Sequence, residues 1–366
     1  MSHQPTADRL YMEAALKLAE RGLFTVTRGN PRVGCLLVKD HRVVGRGWHQ
    51  SDGEAHAEVH ALHDAGGAAK GSTAYVTLEP CCFEGRTAAC TDVLAQHGVE
   101  RVVIGARDHH PKVNGKGIER LRTIGLDVKV MGLPTPGDLN PGTYMRYRRK
   151  RPFVRIKTAL SMDGRTALAT GASKWITSEE SRRDVQYWRA RSGAIITGIG
   201  TVLSDDPRMT VREAEYQGCA PWRVVFDSEG RFPLTAAMLD GDARVVVVCG
   251  RDAHGIELNG KVDVWHELTS RVEVKSVLNR LAQKGVNEVL VEAGSKLVGS
   301  FIKDQLWDEM IAYVAPRFMG SDAQPIADIK VAEMAETVDA TIASTTRIGS
   351  DLRIILRRDE RGRQNQ

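Results

Sequence analysis

At 366 residues the chain exceeds the usual size of one hydrophobic core, so two domains are expected. Hydrophobic residues make up 42% and charged residues 27%, the balance of a soluble globular protein, and no apolar run is long enough to cross a membrane. A net charge of +5 and an aromatic content of 5% supply neither the basic stripe nor the stacking surfaces of a nucleic-acid binder, and they leave room for an anionic small substrate.

The polar start, Met1 to Thr6, has no basic segment followed by an apolar one, so no signal peptide is read and the cytoplasm is the expected compartment. Residues 8–21 place Tyr11, Ala14, Ala15 and Leu18 on one helical face, closed by Gly22. Residues 33–38 and 43–47 read as two strands of a hairpin turning at 39–42. A short helix at 56–65, a strand at 73–78, a helix at 90–97, a strand at 102–104, a helix at 117–123 and a strand at 128–130 follow. This alternation predicts an α/β sheet with helices on both faces.

Residues 131–151 hold Pro134, Pro136, Gly137, Pro141, Gly142 and the basic run from Arg146 to Arg151, a composition that marks a domain boundary. The expected domains are therefore 1–146 and 152–358. Beyond Pro152 the alternation restarts, with strands at 153–159, 194–197, 223–226, 244–249, 262–265, 288–291 and 309–314. Helices are expected at 178–192, 272–284 and 295–303, and the charged tail from Arg357 is expected to fray.

Three of the six cysteines fall within ten residues, at Cys81, Cys82 and Cys90, which points to metal rather than disulfides. Zinc accepts imidazole and thiolate, and a catalytic site uses three protein ligands with the fourth position open. His56, Cys81 and Cys90 make three, and Glu58, two residues past His56, is placed to move protons at that open position. Cys82 stands open as a bystander, a fourth ligand or an alternative to Cys81. His60, one helical turn from His56, is a weaker ligand candidate. In the second half, Glu292-Ala293-Gly294-Ser295 and Thr197-Gly198-Ile199-Gly200-Thr201 each follow a strand and suit a phosphate-bearing dinucleotide, although neither carries the full three-glycine fingerprint.

His56-Ala57-Glu58 with Pro80-Cys81 and a further cysteine resembles the cytidine-deaminase-like zinc deaminases. The usual Pro-Cys-x-x-Cys is stretched here from Cys81 to Cys90, which argues against a plain cytidine or tRNA-adenosine deaminase. With Asn30-Pro31-Arg32-Val33-Gly34, Gly47-Trp48-His49 and Gly85-Arg86-Thr87, the first half resembles the bifunctional riboflavin-biosynthesis deaminase–reductases. Ser161-Met162-Asp163-Gly164-Arg165, Ser173-Lys174-Trp175-Ile176-Thr177, Asp205-Asp206-Pro207 and Glu292-Ala293-Gly294 carry the resemblance through the second half.

That resemblance implies a cytidine-deaminase-like α/β/α domain, a dihydrofolate-reductase-like α/β domain, and Zn2+ and NADPH as cofactors. It implies zinc ligation by His56, Cys81 and Cys90, proton transfer by Glu58, and substrate contacts from Asn30, His49 and Arg86. For the reductase it implies NADPH contacts from Ala159, Trp175, Thr201, Asp205, Ser228 and the run Gly294, Ser295, Lys296, Leu297, Val298, Gly299 and Ser300. Ser173, Arg189, Met209, Arg212 and Glu292 would meet the substrate, a phosphorylated pyrimidine. A homo-oligomer is the expected state, with neither nucleic acid nor membrane as partner. The chain departs from the family at Cys82-Phe83, where Ser-His is common, and at Ala88 and Ala89, which replace a common proline pair. A nucleoside or tRNA deaminase with an unrelated nucleotide-binding domain is the competing enzymatic reading, and a zinc-stabilised nucleotide-binding protein the non-enzymatic one.

Overall fold

A computed structural model describes residues 7–85, 88–133, 139–216, 218–253 and 262–358. The chain divides into two compact units, residues 1–150 and 151–366, each with its own sheet.

The first unit runs α1 (Ala7–Glu20), β1 (Gly34–Lys39), β2 (Arg42–Trp48), α2 (Ala57–Ala65), β3 (Thr73–Leu78), α3 (Cys90–Gln96), β4 (Arg101–Ala106), α4 (Lys116–Ile124), β5 (Asp127–Val130) and α5 (Pro141–Arg149). Its sheet order is β2-β1-β3-β4-β5, with the β2-β1-β3 pairs antiparallel and β3-β4-β5 parallel. Side chains alternate across it. Leu36, Tyr75 and Val103 bury against Met12, Ala15 and Leu18 of α1, whereas Cys35, Leu37, Val76 and Ile104 bury against α2, α3 and α4. Gly47 lets α2 lie directly on β2: a Cβ there would come within 2.1 Å of the Ala57 carbonyl oxygen. The start of α2 is thereby pressed onto the sheet. Asp8 ties α1 to the opposite face through Arg101, Lys129 and the Tyr75 hydroxyl, and the Arg101 guanidinium foremost holds its carboxyl well below the usual range.

Residues 141–149, read from composition as part of an irregular boundary, form α5. Pro141 sits in its first turn, where a missing N–H costs nothing. Asn140 just before it exchanges two hydrogen bonds with the Arg32 backbone, at 2.8 and 2.7 Å, and the Leu139 carbonyl accepts from the Arg32 side chain at 2.7 Å. The loop carrying Asn30 is thus pinned to the entry of α5.

The second unit contains β6 (Phe153–Ser161), β7 (Arg165–Ala167), α6 (Glu179–Ala190), β8 (Ala194–Gly198), α7 (Ile199–Asp205), β9 (Trp222–Phe226), β10 (Val245–Cys249), β11 (Val262–His266), α8 (Val274–Gln283), β12 (Glu288–Val291), α9 (Ser295–Lys303), β13 (Glu309–Ala315), β14 (Gln324–Pro325), β15 (Ala340–Ile348) and β16 (Asp351–Arg358). Nine strands form one sheet in the order β11-β10-β9-β8-β12-β6-β13-β16-β15. The run from β11 to β13 is parallel, and β16 and β15 add antiparallel. Strands β7 and β14 pair separately.

The parallel strands read as near-continuous apolar runs because both faces are covered. Val154, Ile156, Val289 and Val291 bury with α8 and α9, and Ile195, Val225, Leu290 and Ile311 bury on the other side with Trp188 of α6. At the centre, Arg155 is 2% exposed and lies between Glu309 at 2.9 Å and Glu288. Arg357 and Arg358, expected in the frayed tail, belong to β16, and the rest of that tail lies outside the described residues.

Candidate active sites

His56 is the N-cap of α2 and Cys90 the first residue of α3, while Cys81 follows β3 in the loop between them. The His56 Nδ1 atom lies 3.3 Å from the Cys90 sulfur and 3.5 Å from the Cys81 sulfur, and the Cys90 amide donates to the Cys81 sulfur at 3.3 Å. Nδ1, Sγ and Sγ all lie within 4.8 Å of one another, and no other group of this kind is found among the described residues. At zinc–sulfur bonds of about 2.3 Å and zinc–nitrogen bonds of about 2.0 Å, a tetrahedron has edges of roughly 3.5–3.8 Å, so the three donors fit zinc. A hydrogen bond from Cys90 brings the Cys81 thiol down to about 4, and the same bond, with burial, holds Cys90 well above its ordinary value. The pair thus holds one ready thiolate and one thiol that gives up its proton to a metal.

Glu58, in the first turn of α2, is 3% exposed, and burial raises its carboxyl above the ordinary range. His49 is buried, edge-on to His56 with ring centroids 5.5 Å apart. Burial lowers its pKa, so the ring is neutral. Its Nδ1 lies 3.0 Å from the Ala55 carbonyl oxygen and its Nε2 3.2 Å from the Asn30 amide nitrogen, so Nδ1–H donates to Ala55 and Nε2 accepts from Asn30. His49 is thus held inside the first unit, not at its surface. His60 is not part of the donor cluster, and Arg86 lies outside the described residues.

Cys82 is also outside the donor cluster, its thiol 3.6 Å from the Lys112 carbonyl oxygen. Cys82→Ser is expected to leave the zinc content of the purified protein unchanged, as measured by elemental analysis, and metal loss would revise the ligand set. Phe83 stacks on His110 at 5.6 Å, Lys112 lies 5.2 Å from the Phe83 ring, and His110 meets Tyr147 of α5 edge-on at 4.8 Å. Arg146, one residue before Tyr147, donates to the Gly29 carbonyl. A continuous row of side chains therefore joins the loop after Cys81 to the loop that carries Asn30.

Two carboxylates here escaped the sequence reading. Glu79 is 4% exposed and accepts from the backbone amides of Asp108, Gly115 and Ile118 at 2.9–3.2 Å, fixing the 108–118 loop beside Cys81. Asp108, pushed up to about 6 by burial, lies close enough for its charge to reach His56. Its place just after the C-terminal end of β4 was the available signal.

In the second unit, the loop after β12 carries Glu292 into a buried pair with Arg189 of α6. Two guanidinium nitrogens reach its two oxygens at 2.6 and 2.9 Å. Lys157 of β6 lies 3.7 Å from the same carboxylate. Burial alone would raise the Glu292 pKa, but Arg189 and Lys157 outweigh it and bring it down to about 2. Burial lowers the Lys157 amine, with Glu292 opposing. Lys157 was not singled out in the sequence; a lysine inside an otherwise apolar buried strand was the signal. Arg189 also donates to the Thr210 carbonyl, the Arg212 amide donates to Gln186 of α6, and Met209 is buried between them with a left-handed φ of 49°. Arg189, Met209, Arg212 and Glu292 therefore lie close together.

The other expected cofactor residues lie along the C-terminal edge of the parallel strands or in the loops beside it. Thr201 and Asp205 lie in α7, Ala159 is near the end of β6, and the Ser228 hydroxyl accepts from the Val272 amide beyond β9. Ser173 is half-buried, and Trp175 is 63% exposed beneath the Arg182 guanidinium, which rules out a core-packing role for it. Gly294 caps α9, and Leu297 packs toward Gly198 at the start of α7. Val298 faces the core and a Cβ at Gly299 would strike the Asp328 backbone, so Gly294 to Lys296 are what this helix turns outward at its N-terminal end.

Comparison with known proteins finds a family match over each unit. The RibD C-terminal domain family matches residues 152–354, and the cytidine and deoxycytidylate deaminase zinc-binding region matches residues 5–106. The riboflavin biosynthesis protein RibD of Escherichia coli is 40% identical over 359 residues, covering 94% of this chain and 98% of that protein. The Aquifex aeolicus protein of the same name is 35% identical over 96% of this chain and 98% of its own length. The solved Acinetobacter baumannii RibD superposes with a TM-score of 0.89 at 39% identity, covering 96% of this chain and 99% of that one. A deaminase/reductase from Thermotoga maritima gives 0.86 at 31% identity over 96% and 98%. A donor set built for zinc in one unit and a buried lysine–glutamate–arginine system in the other thus sit on a chain that belongs to the RibD family of bifunctional riboflavin-biosynthesis deaminase–reductases, which use zinc and NADPH.

Proposed function

We propose that the first unit hydrolyses the 2-amino group of a diamino-pyrimidinone ribosylamino phosphate. The second unit would then reduce the ribosyl group of the aminouracil product to ribityl. The observation that carries the first step is the open three-donor set of His56, Cys81 and Cys90 with the buried Glu58 carboxyl beside it. Zinc held there supplies the Lewis acidity that makes a water nucleophilic at neutral pH. Glu58 takes the proton of that water and delivers it to the departing amino nitrogen. Its raised pKa brings the two transfers closer to balance. Asn30 and the neutral, doubly hydrogen-bonded His49 present a fixed polar wall to the pyrimidine, and Arg86 is assigned to the phosphate.

NADPH supplies the hydride of the second step. Ala159, Trp175, Thr201, Asp205, Ser228 and the Gly294–Ser300 segment are assigned to holding it, the start of α9 favouring its phosphates. Ser173, Arg189, Met209, Arg212 and Glu292 are assigned to the substrate. Lys157, buried and paired with Glu292, is added as a proton-bearing group at the sugar. The deaminase domain is assigned to residues 1–146 and the reductase domain to 152–358. The enzyme is read as a cytoplasmic homo-oligomer without a nucleic-acid partner. The modest net charge and low aromatic content support the absence of a nucleic-acid partner, and no helix among the described residues is long and apolar enough to cross a membrane.

The deciding experiment supplies the diamino-pyrimidinone phosphate with and without NADPH and follows ammonia release and NADPH oxidation. Ammonia is expected in both cases, and oxidation only after deamination. No ammonia from any pyrimidine ribosylamino phosphate overturns the reading. Phe83→Ala removes the Cys81-loop end of the row that joins that loop to α5. An aromatic pair is worth about 0.5–1.5 kcal/mol, so the KM for deamination is expected to rise up to roughly tenfold with zinc content intact. An unchanged KM removes Phe83 from substrate positioning.

A further inference from the structure

Helix α4 begins on a residue that cannot cap it. Its N-cap is Gly115, held at a left-handed φ of 93°, with no side chain to meet the free amides of the first turn. Glu79 supplies the cap from the far side of α3. Each of its carboxylate oxygens accepts from the Gly115 amide at 2.9 Å, and the pair also accepts from Ile118 at 3.1 Å and from Asp108 at 3.2 Å. A carboxylate at this place meets both the free amides and the positive end of the helix dipole. The approach is close: a Cβ at Gly117 would come within 2.2 Å of the Pro80 carbonyl oxygen and 3.1 Å of the Glu79 Cγ. One buried side chain therefore ties the start of α4, the loop from Asp108 and the segment Glu79-Pro80-Cys81 into a single body.

The deamination makes no direct use of Glu79. It is outside the zinc donor cluster, and its oxygens are taken up by backbone amides. What it places is the loop beside Cys81. Asp108 stands just past the end of β4, and its charge reaches His56. The Asp108 carboxylate accepts from the His110 amide at 2.8 Å, and His110 packs on Phe83 and Tyr147. We propose that Glu79 is a positioning residue of the deaminase, acting through the Asp108 loop: it fixes where that wall stands against the zinc donors and so sets how tightly the pyrimidine phosphate is held. This rests on the deaminase reading above. Glu58 and the three donors do not touch Glu79, so its loss falls on KM rather than on kcat.

Glu79→Gln keeps the shape of the side chain and leaves one acceptor oxygen where the carboxylate has two. The kcat/KM for ammonia release is expected to fall about 10–100-fold, carried by KM, with zinc content intact and kcat within about twofold. Calorimetry with the deaminated product reads the same wall without turnover, and its Kd is expected to rise by a similar factor. Unchanged KM and product affinity in the zinc-loaded variant overturn the proposal. Asp108→Asn and the double variant complete a cycle. The double variant is expected to lose little more than the weaker of the two single ones, and losses that multiply in full overturn the route through the Asp108 loop. If Glu79→Gln does not fold, hydrogen exchange on the zinc-loaded wild type decides. Protected amides at Gly115 and Ile118, with protection over residues 108–115 rising when product is added, support the proposal; exchange there at the rate of an open loop, or no response to product, overturns it. A wild type that releases no ammonia overturns the deaminase reading itself, an outcome distinct from all of these.

Discussion

Replacing Glu58 with glutamine is expected to leave the zinc content intact and to slow ammonia release by about 10²–10⁴-fold, the usual share of a positioned acid–base group. The change is close to isosteric in a pocket where Glu58 is 3% exposed, so α2 and its His56 cap stay in place. The amide neither accepts the proton of the attacking water nor returns one to the leaving nitrogen. Reduction of the deaminated substrate is expected to continue at the wild-type rate, because Glu58 belongs to a unit with its own sheet and core. Near-normal ammonia release would remove Glu58 from the proton path. Loss of NADPH oxidation on the deaminated substrate would reveal coupling between the two reactions.

Glu292→Gln is expected to abolish NADPH oxidation while sparing ammonia release, and to destabilise the second unit. The Glu292 carboxyl stands near 2 in the folded chain against an ordinary 4.5. At about 1.4 kcal/mol for each pH unit, its ionised form contributes roughly 3–4 kcal/mol. Glutamine leaves Arg189 and Lys157 buried without their counter-charge, a loss of the same order. The sign with pH follows from the depressed value. The contribution is complete above about 4.5 and fades as pH falls toward 2, so the gap in urea midpoint between wild type and variant should close over that window. A gap that persists unchanged to pH 2 would show that the carboxylate charge is not its origin, and retained NADPH oxidation would take Glu292 out of the reductase site.

The two active sites differ in how much of each the sequence exposed. The zinc donors were legible because their chemistry lies in short spacings and because His56 and Cys90 stand at helix starts. The Arg189 and Glu292 pair rested on resemblance alone: they lie on α6 and after β12, and only the sheet order brings them to Lys157 on β6. Helix α5 was hidden by Pro141 and Gly142, which read as linker but serve as a helix start. Strand β15 gave no signal because alternation records a buried face, and β15 shows solvent on both. Lys157 and Asp108 were missed for a related reason. A single polar residue in or just beyond an apolar strand looks unremarkable until its neighbours from other strands are in place.

Arg155 carries a consequence for how the second unit tolerates change over generations. It stands opposite Glu309 in the β6–β13 register and also reaches Glu288 of β12, so one guanidinium serves three neighbouring strands. Losing or gaining one residue in β6 would turn Arg155 to the opposite face and take its guanidinium from the buried Glu288 and Glu309 on the two flanking strands. Insertions and deletions should therefore be purged from β6 while accumulating in loops. Substitutions at 155, 288 and 309 should appear together or not at all, a covarying triplet that sequence comparison across the family can read without any structure.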